Sequence, residues 1–301
     1  MIATLAVQNR KLRFAFTLIE TLVVIAILGT LMGLTLSGVQ RVRSVAARTQ
    51  CANNLRQLGL AAQQHHADRG RLPSGNFEFY ELISWQGPLL PYLEQDALWQ
   101  TTKSQLEAGV AFPDERFVAG HTVVKVLTCP SDAATQSPLI RGGVSFIEGN
   151  YLGNYGVSSF RNAIGAEPYL PPEGVLFKKS PIRFADITDG TSNTLLAGER
   201  PKIEGYGGGW YLHSSHGTAF LGAEEDVMGD DVERKRCPAP IVFGPGQRTN
   251  RCDFLHFWSN HDAGANFLLC DGSVRLISYS SRAILPALAT RAAGDAVLSG
   301  D

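Results

Sequence analysis

No C-x-x-C pair occurs among the five cysteines, no G-x-S-x-G nucleophile motif is present, and no proline interrupts the chain between Phe14 and Leu72. The first lack removes the usual sequence mark of a zinc site, the second that of a serine hydrolase. The third permits one long amino-terminal helix. Charge is scarce as well: 18% of the 301 residues are Asp, Glu, Lys or Arg, and the formal net charge is -1. That balance excludes a polyelectrolyte and gives no whole-chain argument for nucleic acid as a partner. A chain this long, 44% hydrophobic, can bury a core without depending on disulfides.

The average hides a split. Residues 1–67 carry Arg10, Lys11, Arg13, Arg41, Arg43, Arg48 and Arg56 against the single acid Glu20, a balance of +6 that leaves -7 for the rest of the chain. From Phe14 to Val39 the only ionisable residue is Glu20, and Leu22 to Val39 is a run of apolar, small and hydroxyl residues. As a helix, Phe16 to Val39 rises ~36 Å, enough to cross a hydrocarbon core of ~30 Å, so membrane lipid is an expected partner. A plain secretory signal fits less well, because the run is too long and no A-x-A-like cleavage site follows it. Three basic residues before the span and four after it leave orientation undecided by charge alone.

A carboxylate at bilayer depth costs roughly 2.5 to 3.5 kcal/mol on insertion scales, so Glu20 marks a functional position. The segment Ala15-Phe16-Thr17-Leu18-Ile19-Glu20, preceded by Arg10, Lys11 and Arg13, resembles the cleavage and methylation signal of type IV prepilins and type II secretion pseudopilins. The resemblance implies cutting between Ala15 and Phe16 by a prepilin peptidase on the cytoplasmic side and methylation of the new Phe16 amino group. It also implies pairing of Glu20 with the cationic terminus of a neighbouring pilin-like subunit. Ala15 departs from the glycine usual before the cut. An uncleaved anchor with Glu20 snorkelling or protonated is the plainer alternative.

Apolar or small residues at Val39, Val42, Val45, Ala46, Ala52, Leu55, Leu58 and Ala62 keep helical spacing, which predicts one helix from Thr17 to about Ala67, ~75 Å long, with this stripe as its seam. The arginines form a solvated or headgroup-contacting face. Gly29 and Gly33 stand at G-x-x-x-G spacing. Breaker residues from Gly70 to Glu78 open a soluble domain. There, Leu89 to Thr101 reads as a short helix with Pro91 in its first turn and Thr122 to Thr128 as a strand. Further strands are expected at Tyr151–Val157, Gly174–Phe177, Thr194–Gly198, Ile241–Phe243, Ala265–Cys270 and Ser273–Ser278, with helical turns near Phe184–Ile187 and Ile284–Arg291. Asp271-Gly272 between two strand-like runs predicts a type I′ hairpin.

Nine residues separate His261 from Asp271-Gly272, and this H-x9-D-G pattern resembles the closing motif of a large group of bacterial prepilin-like proteins, domain of unknown function 1559. The runs Gln50-Cys51-Ala52-Asn53-Asn54-Leu55, Leu90-Pro91-Tyr92-Leu93-Glu94-Gln95, Leu127-Thr128-Cys129-Pro130-Ser131-Asp132, Ile182 to Thr194 and Gly198-Glu199-Arg200 are similar to that family's landmarks, in its order. The resemblance covers Phe14 to about Ser278 and brings no established activity. The fold it implies is α+β and pilin-like: a long N-terminal helix, half transmembrane and half amphipathic, packed on a mostly antiparallel β-sheet domain with long loops. The expected organisation is a cytoplasmic leader at 1–15, a helix at 16–67, an extracytoplasmic domain at 68–285 in the periplasm, and a frayed tail at 286–301.

Candidate chemistry is sparse. Cys237, Cys252, His256 and His261 are the best metal set, but a Cys237–Cys252 disulfide suits an oxidising compartment better, Cys51 and Cys129 offer a second bridge, and Cys270 remains as a buried thiol. No resident metal or cofactor is expected; Asp186, Asp189 and Asn193 leave room for at most a structural calcium ion, without EF-hand spacing. His261 and Asp271 as a dyad lack a nucleophile, so no enzyme is expected. His213 and His216 beside Trp210 read as a loop, and an exposed Trp210 or Trp258 would suit a glycan or protein ligand. That is the alternative role, a tethered binding module that does not polymerise.

Overall fold

The computed structural model describes residues 17–74, 76–77, 80–111, 114–132, 134, 138–141, 144–158, 172–177, 180–204, 220–225, 237 and 240–294. Ala15, Phe16, Trp210, His213 and His216 lie outside them. The chain forms two units, Met1–Val45 and Ala46–Asp301. The division falls inside α1, Leu18–Arg69, a helix of 52 residues that stops one residue before Gly70.

In the first unit every described side chain is exposed, including Leu18 at 79%, Met32 at 67% and Leu34 at 73%. Its hydroxyls bond to their own helix: Thr30 Oγ1 donates to the Ile27 carbonyl at 2.8 Å, Thr35 to Leu31 at 3.0 Å and Ser37 to Leu34 at 3.0 Å. These polar groups thus need no water, the condition for a helix in hydrocarbon. Length and composition make this the candidate membrane span.

The second unit begins with the rest of α1, whose buried residues are Cys51, Asn54, Leu55, Leu58, Gly59, Ala61, Ala62 and His65. The packed seam therefore starts at Cys51, and the expected seam positions Val39, Val42 and Val45 are exposed. Val39 closes the lipid-length run, and Val42 and Val45 follow it beside Arg41 and Arg43, outside the domain core.

Short strands β1 (Asn76–Phe77) and β2 (Tyr80–Ser84) form a small antiparallel pair. A 3₁₀ helix at Gly87–Leu93 and α2 at Asp96–Glu107 replace the single helix expected over Leu89–Thr101. Glu94 separates them; its left-handed φ of 59° sends its N–H back to the Leu90 carbonyl. A four-residue helix α3 (Val118–His121) and a 3₁₀ turn at Lys125–Leu127 occupy the place of the expected Thr122–Thr128 strand. Val124 and Leu127, three apart, are buried while Val123 is exposed, so burial follows a turn and not the alternation of a strand.

The hairpin β3 (Leu139–Arg141) and β4 (Val144–Phe146) precedes the main sheet, built from β5 (Tyr151–Gly156), β6 (Leu195–Glu199), β7 (Phe220–Gly222), β10 (Gly264–Leu269) and β11 (Val274–Ser278). β8 (Glu224–Glu225) pairs separately with β9 (Ile241–Val242). The main order is β11-β10-β6-β5-β7, antiparallel except for the parallel β5–β7 pair. The Gly174–Phe177 segment sends two N–H bonds to the β5 carbonyls of Tyr155 and Asn154 without forming a strand.

All residues of β5, β6 and β10 are buried because both faces of the sheet are covered. On one face α1 packs Leu55, Leu58 and Ala62 with Trp85, Tyr151, Leu196 and Leu268. On the other, Phe243, Phe257 and Phe267 pack with Leu152, Leu221, Leu285 and Leu288.

The last two belong to α4, Leu285–Ala289, which falls where a helical turn was expected over Ile284–Arg291 and runs into the 286–301 tail expected to fray. Beyond it, the amides of Ala293 and Gly294 donate to the Asp189 carboxylate at 2.8 and 2.9 Å, and Arg291 Nη1 donates to the carbonyls of Pro172 and Gly174. The tail is a packed part of the domain through residue 294.

Candidate functional site

At the start of α1, Thr17 and Glu20 form a reciprocal cap. Thr17 N–H and Oγ1–H both donate to Glu20 Oε2 at 2.8 Å, and Glu20 N–H donates to Thr17 Oγ1 at 3.2 Å. This T-x-x-E box satisfies amides that have no partner within the helix and fixes the carboxylate at its first turn. The spacing is visible in the sequence, where the apolar setting of Glu20 points to an intersubunit partner and leaves the local cap unnoticed.

In the globular unit, residues distant in sequence converge on Cys51 and Cys129. Their sulfurs form a disulfide with the Cα atoms 5.0 Å apart. His261 Nε2 lies 3.9 Å from Cys129 Sγ and 3.4 Å from Glu199 Oε1, and its Nδ1 is 3.4 Å from Ser131 Oγ. Glu199 is held by Asn266, whose backbone N–H and Nδ2 donate at 2.7 and 3.0 Å. Around this centre, Asn150 joins the Cys129 amide to Asp132, accepting from the first at 2.7 Å and donating to the second at 2.9 Å. Asn54 Nδ2 donates to the Thr128 carbonyl and the Tyr151 hydroxyl, which in turn donates to the Cys51 carbonyl. Burial, and then the Glu199 charge, hold the Tyr151 phenol well above its ordinary pKa, so it stays a neutral donor.

Beside this network, Lys202 Nζ and Glu148 form a buried ion pair at 3.5 Å. Arg200 is 1% exposed, stacks on Phe254 at 4.5 Å and is pulled down to about pKa 10 by desolvation, against the opposing charges of Glu148 and Asp132. It remains a cation at neutral pH. Such buried charges are costly alone, and their mutual pairing fixes one arrangement more than it adds net stability.

One family model, described as a protein of unknown function (DUF1559), matches residues 40–282, well over half of the chain. The chain belongs to this family. A second model, the prokaryotic N-terminal methylation motif, matches residues 10–36, which makes this DUF1559 member prepilin-like, with a membrane-anchoring helix at its amino-terminal end. No curated protein and no solved structure matches it.

The landmark runs of this DUF1559 chain meet in the network just described: Cys51 and Asn54, Cys129 to Asp132, Glu199 and Arg200, and His261. Asp271 and Gly272 lie elsewhere. Gln63 Nε2 of α1 donates to the Asp271 carbonyl at 2.7 Å, Ser273 N–H donates to Asp271 Oδ1, and Gly272 N–H closes on the Leu269 carbonyl. Gly272 has φ +86°, and Glu94 is the one described non-glycine with positive φ, so the type I′ turn expected at Asp271-Gly272 is not formed. The loop is Cys270-Asp271-Gly272 with the third residue left-handed, the bulged alternative for hairpins. A Cβ on Gly59 would meet Leu268 Cδ1 at 2.8 Å and Gly272 Cα at 3.0 Å, so α1 and the hairpin loop approach at paired glycines.

The candidate metal set is not brought together. Cys237 and Cys252 are bonded to each other, His256 Nε2 pairs with Asp253, and His261 sits with the other disulfide. Cys270 is a free, buried thiol, its pKa pushed far up by burial. Trp258 is 2% exposed and donates to the Asp253 carbonyl, so it offers no ligand platform. Asp186 pairs with Arg183, and Asp189 takes the amides of the tail. A separate cavity of about 700 Å³ is lined by residues that include Asp68, Arg69, Tyr92, Asp96, Trp99 and Lys103.

Proposed function

We propose that the chain is a pseudopilin-like structural subunit. In this reading a prepilin peptidase cuts it between Ala15 and Phe16 on the cytoplasmic side of the inner membrane, leaving the large domain in the periplasm. It then assembles with other pilin-like subunits into a type II secretion or type IV pilus-like envelope structure. The observation that carries this reading is the fully exposed apolar helix from Leu18 onward, entered through a methylation motif and holding Glu20 as its only ionisable group up to Val39. Lateral association in lipid works by packing and polar pairing, and both Thr17 bonds fall on one oxygen of Glu20. Gly29 and Gly33 have open space around the Cβ position, as close helix approach requires. A structural rather than catalytic role is supported by His261 and Asp271 each holding a different part of the fold.

The test is multimer formation by Glu20→Gln and Glu20→Leu, read by cross-linking in membranes, with Thr17→Ala as the comparison. Thr17→Ala removes the cap at a cost of about 1 kcal/mol in the first turn but keeps the carboxylate. We expect multimers to be lost in both Glu20 variants and kept in Thr17→Ala, with monomer still inserted throughout. Wild-type multimer levels in Glu20→Leu would leave the second reading, a membrane-tethered binding module. The cavity beside Tyr92 and Trp99, which mixes aromatic and charged walls, favours that alternative for a glycan or protein ligand.

A further inference from the structure

Cys51 from α1, Cys129 from the loop after the Lys125–Leu127 turn, Glu199 from the end of β6 and His261 from the loop before β10 each place one donor atom within 4.8 Å of the other three, and all four residues are buried. His261 presents Nε2 to both Cys129 and Glu199, while Nδ1 faces Ser131. A hydrogen bond from Nδ1–H to Ser131 leaves the Nε2 lone pair facing the sulfur and the carboxylate, the outer-shell arrangement that orients a metal-binding imidazole. Asn266 fixes the carboxylate in the same way. Two thiolates, one imidazole and one carboxylate form a tetrahedral donor set suited to zinc. The sulfurs disfavour calcium and magnesium, which take oxygen ligands.

We propose that Cys51 and Cys129 in their reduced form, with His261 and Glu199, hold one zinc-class divalent cation, and that the disulfide is the metal-free alternative of the same site. A dithiol supplies two electrons and two protons to the Cys51–Cys129 bond and itself becomes a disulfide. Zinc then displaces the two thiol protons and binds both sulfurs. In reverse, exchange with a disulfide oxidant takes two electrons from the thiolates, re-forms the bond and releases the cation. Ligands at Zn–S ~2.3 Å and Zn–N ~2.0 Å stand roughly 3.3 to 3.8 Å apart in a tetrahedron, inside the present spread of the donors once the sulfurs separate. Either state ties α1 to the loop at Cys129, so a chain that meets zinc before an oxidant still closes its core.

The experiment uses the full-length chain in detergent micelles, with Cys237→Ser and Cys252→Ser so that Cys51–Cys129 is the remaining bridge. It is reduced with a phosphine in mild denaturant and refolded with zinc chloride or cobalt chloride, beside an oxidised control. Elemental analysis should find about one zinc per reduced chain and under a tenth of that in the oxidised chain. The cobalt form should show thiolate charge-transfer and tetrahedral absorption bands, and His261→Ala should weaken zinc binding by at least about tenfold. Zinc absent from the reduced chain, zinc equally present in the oxidised chain, or unchanged cobalt bands in Cys51→Ser/Cys129→Ser would overturn the proposal. If His261→Ala does not fold, the reduced-to-oxidised zinc ratio of the parent chain decides it.

Discussion

Replacing Cys51 and Cys129 together by alanine removes a cross-link that spans 78 residues of sequence; the matching change at Cys237 and Cys252 removes one that spans 15. In the chain-entropy treatment the first bridge is worth about 4.5 kcal/mol at 25 °C and the second about 3 kcal/mol, because the longer closure excludes more of the unfolded ensemble. Packing adds to the difference: Cys51 and Cys129 both belong to the main core cluster, whereas Cys252 is half-buried, so deletion of the first bridge leaves core space that neighbours refill only partly. The assay is urea unfolding of the full chain in micelles under oxidising conditions, followed by tryptophan fluorescence, to which the buried Trp85, Trp99 and Trp258 contribute. The Cys51/Cys129 variant should unfold at the lower urea concentration of the two. Equal or greater loss in the Cys237/Cys252 variant would refute the ordering, and with it the view that the bridge from α1 is the main covalent restraint on the domain.

Gly272→Ala should destabilise the chain by roughly 1 to 2 kcal/mol in the same urea assay, because φ +86° penalises a Cβ and Gln63 Nε2 stands 2.8 Å from where it would sit. Asp186, a half-buried carboxylate held down to about pKa 2 chiefly by its hydrogen bonds from Arg183, should titrate near pH 2 by NMR and return toward the ordinary carboxylate range in Arg183→Ala. Since its folded value is depressed, its stabilisation is present above the unfolded pKa near 4 and lost as pH falls toward 2. His65 is lowered mainly by burial, so the folded state resists its protonation and loses stability as pH falls below ~6.5. A pH series of urea midpoints between 7.5 and about 5 should therefore be shallower in His65→Gln than in the parent chain.

The long helix was legible because it needs only local information: an apolar run, no proline, and Gly70 as the stop. The hairpin was equally local, and Asp271-Gly272 marked its place, but the turn type depends on how the strands reach it. With Leu269 N–H bonded to the Ser273 carbonyl, Cys270 joins the loop and one left-handed residue suffices. The strand-like pattern over Thr122–Thr128 misled because the conformation there is set by a distant partner: the Asn150 amide bonds the Leu127 carbonyl at 2.9 Å. The helical turn near Ile284–Arg291 was legible and is the helix Leu285–Ala289, but the docking of the residues after it was not, because Asp189 anchors them across more than a hundred positions. Most hidden was the convergence of Cys51, Cys129, Glu199 and His261. Each lies in a motif visible in the sequence, but only the stacking of α1 on β5, β6 and β10 brings the motifs to one point.

Processing at Phe16, on which the pseudopilin reading stands, is tested most directly by mass spectrometry of the amino-terminal peptide from membranes of cells producing the chain. The expected result is a terminus at Phe16 carrying one N-methyl group, with residues 1–15 removed. A terminus at Met1 in a chain that is nevertheless stably inserted would contradict it.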